Sequence, residues 1–180
     1  MEGARPGEAN TDWGAVDPTQ NNVQGYFNLL PGEKFLDAQE SPRNCNWFLI
    51  TLGCRRGLTF LEQQSEVDGK RLGIRGHSMG GNLTMFVAGS DPRVKVASPS
   101  AGGSGYRTYA RYGLLPQIRK VKGDLELFRR TMGYQFYAPR ITAPLLHLGA
   151  SNDFHGQMDA TYATGARVSK KVPQRFVFAP

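Results

Sequence analysis

The stretch Gly76-His77-Ser78-Met79-Gly80-Gly81 decides the fold of this chain, because it stands between an apolar run and a helix-like run. The turn signal Asp68-Gly69 precedes a strand candidate at 71–75, and the small and apolar residues 82–89 are typical of a helix buried against a sheet. Glycines at 76 and 80 have no Cβ to collide across a sharp bend. The stretch therefore predicts a strand, a tight turn and a helix, with a serine at the centre of the turn.

A serine in such a turn has the layout of a nucleophile elbow. The elbow places one residue in a sparsely populated backbone conformation, which costs about 1–3 kcal/mol and persists only if the surroundings hold it. It would lift the Ser78 hydroxyl clear of the sheet, and it would aim the N–H of Met79 at a developing oxyanion. The alternative interpretation is a glycine-rich turn in which Ser78 only caps the helix.

The rest of the chain divides at residue 44. Residues 1–43 are rich in Gly, Pro, Asn, Asp and Gln and show no sustained period, which predicts an irregular N-terminal excursion. Residues 44–180 alternate between helical and strand patterns, with an amphipathic helix at 44–64 and further strands at 94–97, 144–149 and 175–178. This alternation predicts an α/β domain with a parallel sheet that helices cover on both faces.

A serine hydroxyl is a weak nucleophile until a base takes its proton, and a carboxylate must fix the tautomer of that base. Asp153 is the candidate acid because it lies just past the carboxyl end of a strand, where ligand-facing groups gather in such sheets. The alternative is that Asp153 caps the following helix. Asp159 is a weaker candidate because the sequence places it inside that helix.

The chain has three histidines, and none has the expected position of the base. His77 adjoins Ser78 but is predicted to point elsewhere and to pack beside the sheet. His147 alternates within a buried strand and is predicted to be a core residue with satisfied polar atoms. His155 follows Asp153 in the same loop, whereas the base normally comes from a separate loop facing the serine, so it is a candidate only as a substitute base.

Charge and hydropathy exclude two classes of partner. The formal net charge is +7, but the basic residues are scattered singly or in pairs, so no nucleic-acid partner is predicted. No apolar run approaches the roughly 18–20 residues that span a bilayer, so no membrane partner is predicted either. No cofactor and no metal site is predicted.

Several stretches resemble the acetyl xylan esterase-like and dienelactone hydrolase-like branch of the α/β-hydrolase superfamily. They are the elbow and residues 11–17, 40–44, 55–64 and 151–156. The resemblance implies Ser78 as the nucleophile, Asp153 as the triad acid and Met79 as an oxyanion donor. It also implies hydrolysis of small acyl esters, often of acetylated carbohydrate, through an acyl-enzyme.

The chain departs from this family by absence, since the upstream strands and a histidine after the last strand have no counterpart in the sequence. We therefore expect the fold to be incomplete at both ends, as in a piece of a larger hydrolase. Two other functions stay open at this point. One is a catalytically incomplete module that lacks the base, and the other is a serine peptidase of the prolyl-oligopeptidase type.

Overall fold

A computed structural model of the chain describes residues 46–104, 130–131, 133–153 and 156–180. The predicted excursion at 1–43 and its boundary at residue 44 lie outside these ranges. Two 3-10 turns, Gly69–Arg71 and Ala138–Arg140, precede strands. The helices and strands, in chain order, are α1 (Asn46–Glu62), β1 (Gly73–His77), α2 (Met79–Ala88), β2 (Val96–Ser100), α3 (Tyr134–Tyr137), β3 (Leu145–Ala150), α4 (Met158–Gly165) and β4 (Gln174–Ala179).

The four strands form one parallel sheet in the order β1-β2-β3-β4. Ile74 pairs with Ala97, Ala97 pairs with Leu145, and Leu145 pairs with Gln174. This confirms the predicted α/β class with a parallel sheet. Because all the strands run the same way, the carboxyl ends of β1 and β3 meet at one edge of the sheet, which is where ligands bind in such folds.

The helices that the structure describes pack on one face of the sheet. Ala97 and Leu145 point to this face and belong to the same buried cluster as Phe86 of α2, and the partly buried Ile74 packs against that cluster. The Phe86 ring lies 4.7 Å from that of Tyr134 and is 1% exposed. Full burial of one such side chain contributes about 1.5–3 kcal/mol. The cluster therefore anchors α2, and with it the turn at Ser78, to the sheet.

The helix α4 lies on the same face, next to β3 and β4. His147 stacks on Phe176 with 4.4 Å between ring centroids, and Phe176 stacks at 4.4 Å on Tyr162 of α4. His147 is only 2% exposed, and its Nε2 lies 3.3 Å from the Gln174 side-chain oxygen. Burial lowers the pKa of the imidazole. The prediction that His147 is a satisfied core residue is confirmed.

The opposite side of the sheet, which we call the second face, carries the alternate residues of the strands. Val96, Leu146 and Val177 point there and are 50%, 37% and 53% exposed. Among the described residues no helix packs on the second face, so helical cover on both faces is confirmed for one face and stays a prediction for the other.

Two predicted strands are shifted by two residues or more along the chain. The first begins at Gly73 rather than at 71, because the Asp68 side chain accepts a hydrogen bond from Lys70 N at 2.9 Å and holds residues 69–71 in a 3-10 turn. The second runs on to Ser100, although Ser98-Pro99-Ser100 is typical of a loop. Pairing with β1 on one side and β3 on the other overrides that local preference.

A buried carboxylate fastens α1 to the end of α2. The Asp91 side chain is 1% exposed and accepts hydrogen bonds from Arg93 Nη2 at 2.7 Å and from Arg55 Nε at 3.2 Å. Arg93 also donates to Glu62 Oε2 at 3.1 Å and to the carbonyl of Arg55 at 3.0 Å. The hydrogen bond from Arg93 is the main reason that the pKa of Asp91 falls to about 2.

Candidate active site

Ser78 occupies the turn between β1 and α2 with φ 54° and ψ −113°. It is one of two non-glycine residues with positive φ in the described part of the chain. Such a conformation costs about 1–3 kcal/mol, and its persistence shows that neighbouring groups hold it. The residue is exposed at the carboxyl edge of the sheet. This confirms the predicted geometry of the turn.

The two glycines of the motif act differently from what the sequence predicts. A Cβ at Gly76 would lie 2.3 Å from the carbonyl carbon of Gly80, so only glycine fits at 76. A Cβ at Gly80 would meet nothing within 4 Å. The prediction that the bend leaves no room for a Cβ at either glycine is right for Gly76 and wrong for Gly80. What the turn uses at Gly80 is its backbone, against which Gly76 packs.

Backbone hydrogen bonds hold Ser78 on both sides. Its N–H donates to the carbonyl of Ser100 at 2.8 Å, and its carbonyl accepts from Asn82 N at 3.1 Å. Ser78 is the N-cap residue of α2 by position, but its side chain makes no capping hydrogen bond. The capping alternative is therefore wrong, and the hydroxyl is not committed to the helix.

Met79 is the first residue of α2, beside the serine. The first N–H groups of a helix have no intrahelical acceptor, and the helix dipole adds partial positive charge at that end. This position suits an oxyanion donor, since the charge that develops on a carbonyl oxygen would be stabilised there. The role of Met79 stays a prediction.

The segment after β2, residues 101–103, fills the space beside the turn, and sequence reasoning missed it. Ala101 is the second non-glycine residue with positive φ, at 47°. A Cβ at Gly102 would lie 2.4 Å from the carbonyl oxygen of Ser78, and Gly103 N donates to Asn82 Oδ1 at 2.7 Å. The glycine pair at 102–103 was the available signal, but nothing in the sequence tells which turn that pair approaches.

Asp153 follows β3 at the same edge of the sheet as Ser78. Its Oδ1 accepts a hydrogen bond from Gly156 N at 2.9 Å. A Cβ at Gly156 would lie 2.8 Å from the carbonyl carbon of Ala101, so Gly156 lies against the segment 101–103. That segment in turn contacts the serine turn. The structure thus brings the predicted acid to the predicted edge, and its role in a triad stays a prediction.

The structure also bears on the two alternatives, a capping role for Asp153 and Asp159 as the acid. The N-cap of α4 is Gln157, so Asp153 does not cap that helix. Asp159 lies within the first turn of α4, where its Oδ1 accepts from Ala160 N at 2.8 Å. Asp153 therefore remains the better candidate acid.

The two described histidines bond to residues away from the serine hydroxyl. His77 Nδ1 lies 3.1 Å from Ser100 Oγ, and the residue is exposed, so the prediction that it packs beside the sheet is wrong. His147 is the core residue described above. His155, the predicted substitute base, lies outside the described residues.

Within the described ranges, no three His, Cys, Asp or Glu side chains cluster as metal ligands would. In the same ranges, no helix has the length and apolar composition needed to cross a bilayer.

Comparison with known proteins shows which family and which solved structures this chain resembles. The model of the Dienelactone hydrolase family matches residues 49–178. An acetyl xylan esterase from Paenibacillus sp. R4 has a TM-score of 0.63 at 25% identity, over 81% of this chain and 49% of its own. Acetyl xylan esterase 1 from Thermoanaerobacterium sp. JW/SL YS485 has a TM-score of 0.65 at 18% identity, over 82% of this chain and 51% of its own.

The solved structure of a peptidase is also similar to this chain. The uncomplexed acylaminoacyl peptidase of Pyrococcus horikoshii has a TM-score of 0.56 at 25% identity, over 75% of this chain and 22% of its own. No curated protein matches the chain in sequence. The chain spans about half the length of the two acetyl xylan esterases. Because the family match extends over most of the parallel sheet and the serine turn, we conclude that the chain belongs to the dienelactone hydrolase family of the α/β-hydrolase superfamily.

Proposed function

We propose that this protein is a serine hydrolase of carboxylic esters that removes small acyl groups, above all acetyl groups, through an acyl-enzyme on Ser78. The observation that carries the proposal is the strained, exposed Ser78 at the turn between β1 and α2. A conformation that costs free energy and leaves a hydroxyl uncommitted at a ligand-binding edge favours a nucleophile over a structural serine. The substrate class, acetylated carbohydrate or a similar small ester, follows the likeness to the acetyl xylan esterases.

The reaction assigns one task to each group. Ser78 Oγ attacks the ester carbonyl while a base takes its proton, and the Met79 N–H stabilises the oxyanion. The alkoxy group leaves with the proton from the base, and water then hydrolyses the acyl-serine by the same steps. Asp153 would orient the base. Within this sequence the candidate base is His155, which lies two positions after Asp153.

Hydrolysis of p-nitrophenyl acetate and of acetylated xylo-oligosaccharides tests the proposal. We expect Ser78→Ala to lower kcat/KM by a factor of about a thousand or more, as the loss of a triad nucleophile does. Ser90→Ala, at the other end of α2, is the matched control and should leave turnover unchanged. Unchanged turnover in Ser78→Ala would contradict the proposal.

Two further variants assign the partners of the serine. Asp153→Asn should lower kcat by about 10³–10⁴-fold, because the base loses its orienting carboxylate. His155→Ala should have a comparable effect if this residue is the base, whereas unchanged turnover would place the base elsewhere. A wild-type chain without any esterase activity would favour the catalytically incomplete module.

A second candidate, an acyl-peptide hydrolase, has one observation in its favour. The Pyrococcus horikoshii acylaminoacyl peptidase is as similar in sequence, at 25% identity, as the Paenibacillus esterase. Ester and amide hydrolysis share the nucleophile, so assays with an N-acetyl amino acid p-nitroanilide beside p-nitrophenyl acetate separate the two. Faster turnover of the anilide would favour the peptidase.

A further inference from the structure

Ser100, the last residue of β2, contacts two consecutive residues of the serine turn. Its carbonyl accepts the hydrogen bond from Ser78 N at 2.8 Å, and its Oγ lies 3.1 Å from His77 Nδ1. His77 and Ser100 also face each other in the pairing of β1 with β2. The same residue thus holds the end of the strand and the start of the turn.

These contacts matter because Ser78 is strained. A residue at φ 54° returns to a relaxed conformation unless its surroundings prevent it. The bond between His77 and Ser100 joins two side chains at the point where β1 ends, and it can form with either neutral tautomer. The serine hydroxyl donates when Nδ1 is bare and accepts when Nδ1 carries the proton.

We propose that Ser100 is a positioning residue for the nucleophile, acting through the His77 ring and through its own carbonyl, without touching substrate. This role rests on the proposed function of Ser78, and it gives His77 the task of a positioning partner rather than of a base. A nucleophile displaced by about 1 Å can lose on the order of a hundredfold in rate, so a residue that fixes its backbone affects turnover at a distance.

Ser98 provides a matched control. It lies two residues before Ser100 on the same strand and the same side of the sheet, where it pairs with Arg75. Its Oγ is buried and has no hydrogen-bond partner among the described residues. Ser98→Ala therefore removes a hydroxyl from β2 without removing a bond to the turn.

Amide hydrogen exchange on the 180-residue chain tests the positioning role without any assay of activity. Ser100→Ala keeps the carbonyl but removes Oγ, so we expect the Ser78 N–H to exchange about three to ten times faster, as the loss of one hydrogen bond predicts. Ser100→Thr should restore the wild-type rate, and Ser98→Ala should leave it within about twofold. The amide of Val87, in the core of α2, is the reference for global stability.

An unchanged Ser78 rate in Ser100→Ala would overturn the proposal. An equal rise in Ser98→Ala, or an equal rise at Val87, would do so too, because the effect would then be general. If Ser100→Ala does not fold, His77→Phe removes the same bond from the other side, because the phenyl ring has no nitrogen, and it is held to the same criteria.

Kinetics add a second readout. With p-nitrophenyl acetate, Ser100→Ala should lower kcat about tenfold with KM unchanged within about twofold, and Ser100→Thr should recover kcat. Combining Ser100→Ala with His77→Phe should cost no more than either change alone, because both remove the same bond. Absence of wild-type turnover would refute the proposed function, whereas the exchange rates decide the positioning role separately.

Discussion

At the scale of the residue, the serine turn depends on one missing Cβ. Gly76 packs against the Gly80 backbone at a distance that no side chain tolerates, whereas the space around the Gly80 Cα is open. The two glycines of the same motif therefore differ in cost when they are replaced.

We expect Gly76→Ala to lower the free energy of unfolding by about 2 kcal/mol or more, because backbone atoms must move to admit the Cβ. Gly80→Ala is the matched control and should be neutral or stabilising by up to about 1 kcal/mol, since alanine favours the helix in which it lies. Urea unfolding of both variants measures the difference. Equal losses in the two variants would contradict this account of the turn.

Sequence reasoning succeeded for Ser78 and failed for Ser100 for a physical reason. The turn at Ser78 is local, because its glycines and its flanking strand and helix patterns lie within a few residues of it. Ser100 and Ala101 reach the turn only through the pairing of β1 with β2, which joins residues more than twenty positions apart. A single sequence carries the local patterns around Ser78 but little information on which strands pair.

At the scale of the element, Asp91 joins α1 to α2. Its pKa of about 2 lies below the usual value of 3.8, so ionisation of Asp91 is more favourable in the folded state than in the unfolded state. The resulting stability is present above about pH 4 and is lost as the pH falls towards 2. A shift of this size corresponds to about 2 kcal/mol.

Asp91→Asn tests this linkage. We expect the difference in unfolding free energy between wild type and variant to shrink by about 2 kcal/mol between pH 5 and pH 2, because at pH 2 Asp91 is protonated in the unfolded chain and in about half of the folded molecules. Urea unfolding at several pH values measures it. A difference that stays constant over this range would show that the ion pairs with Arg93 and Arg55 contribute nothing through the charge of Asp91.

The elements themselves were largely predictable. The order of strands and helices after residue 46 follows from the alternation of apolar patterns, which each element expresses in its own residues. The first and last residues of the strands were less predictable. A hydrogen bond to the Asp68 side chain makes β1 begin later than its pattern predicts, and sheet pairing extends β2 through Pro99.

At the scale of the whole molecule, the two faces of the sheet differ. One face is buried under the described helices, whereas the second face carries the half-exposed Val96 and Val177. Exposed apolar patches of this kind bind hydrophobic dyes and favour association.

We expect the double variant Val96→Thr with Val177→Thr to bind less of the dye ANS while its free energy of unfolding stays within about 1 kcal/mol of wild type. Threonine keeps the β-branched shape and removes apolar surface. Val87→Thr, in the buried core, should lose about 1–3 kcal/mol in the same urea assay. A comparable loss in the double variant would show that the second face is covered in solution.

The activation of Ser78 as a nucleophile can be measured without a substrate. Treatment of the 180-residue chain with a fluorophosphonate, followed by peptide mass spectrometry, detects this activation, because such reagents phosphonylate a serine that has been activated by a base. We expect one adduct per chain, on the peptide that contains Ser78, and none in Ser78→Ala. An adduct on another residue, or an unlabelled wild-type chain, would contradict it.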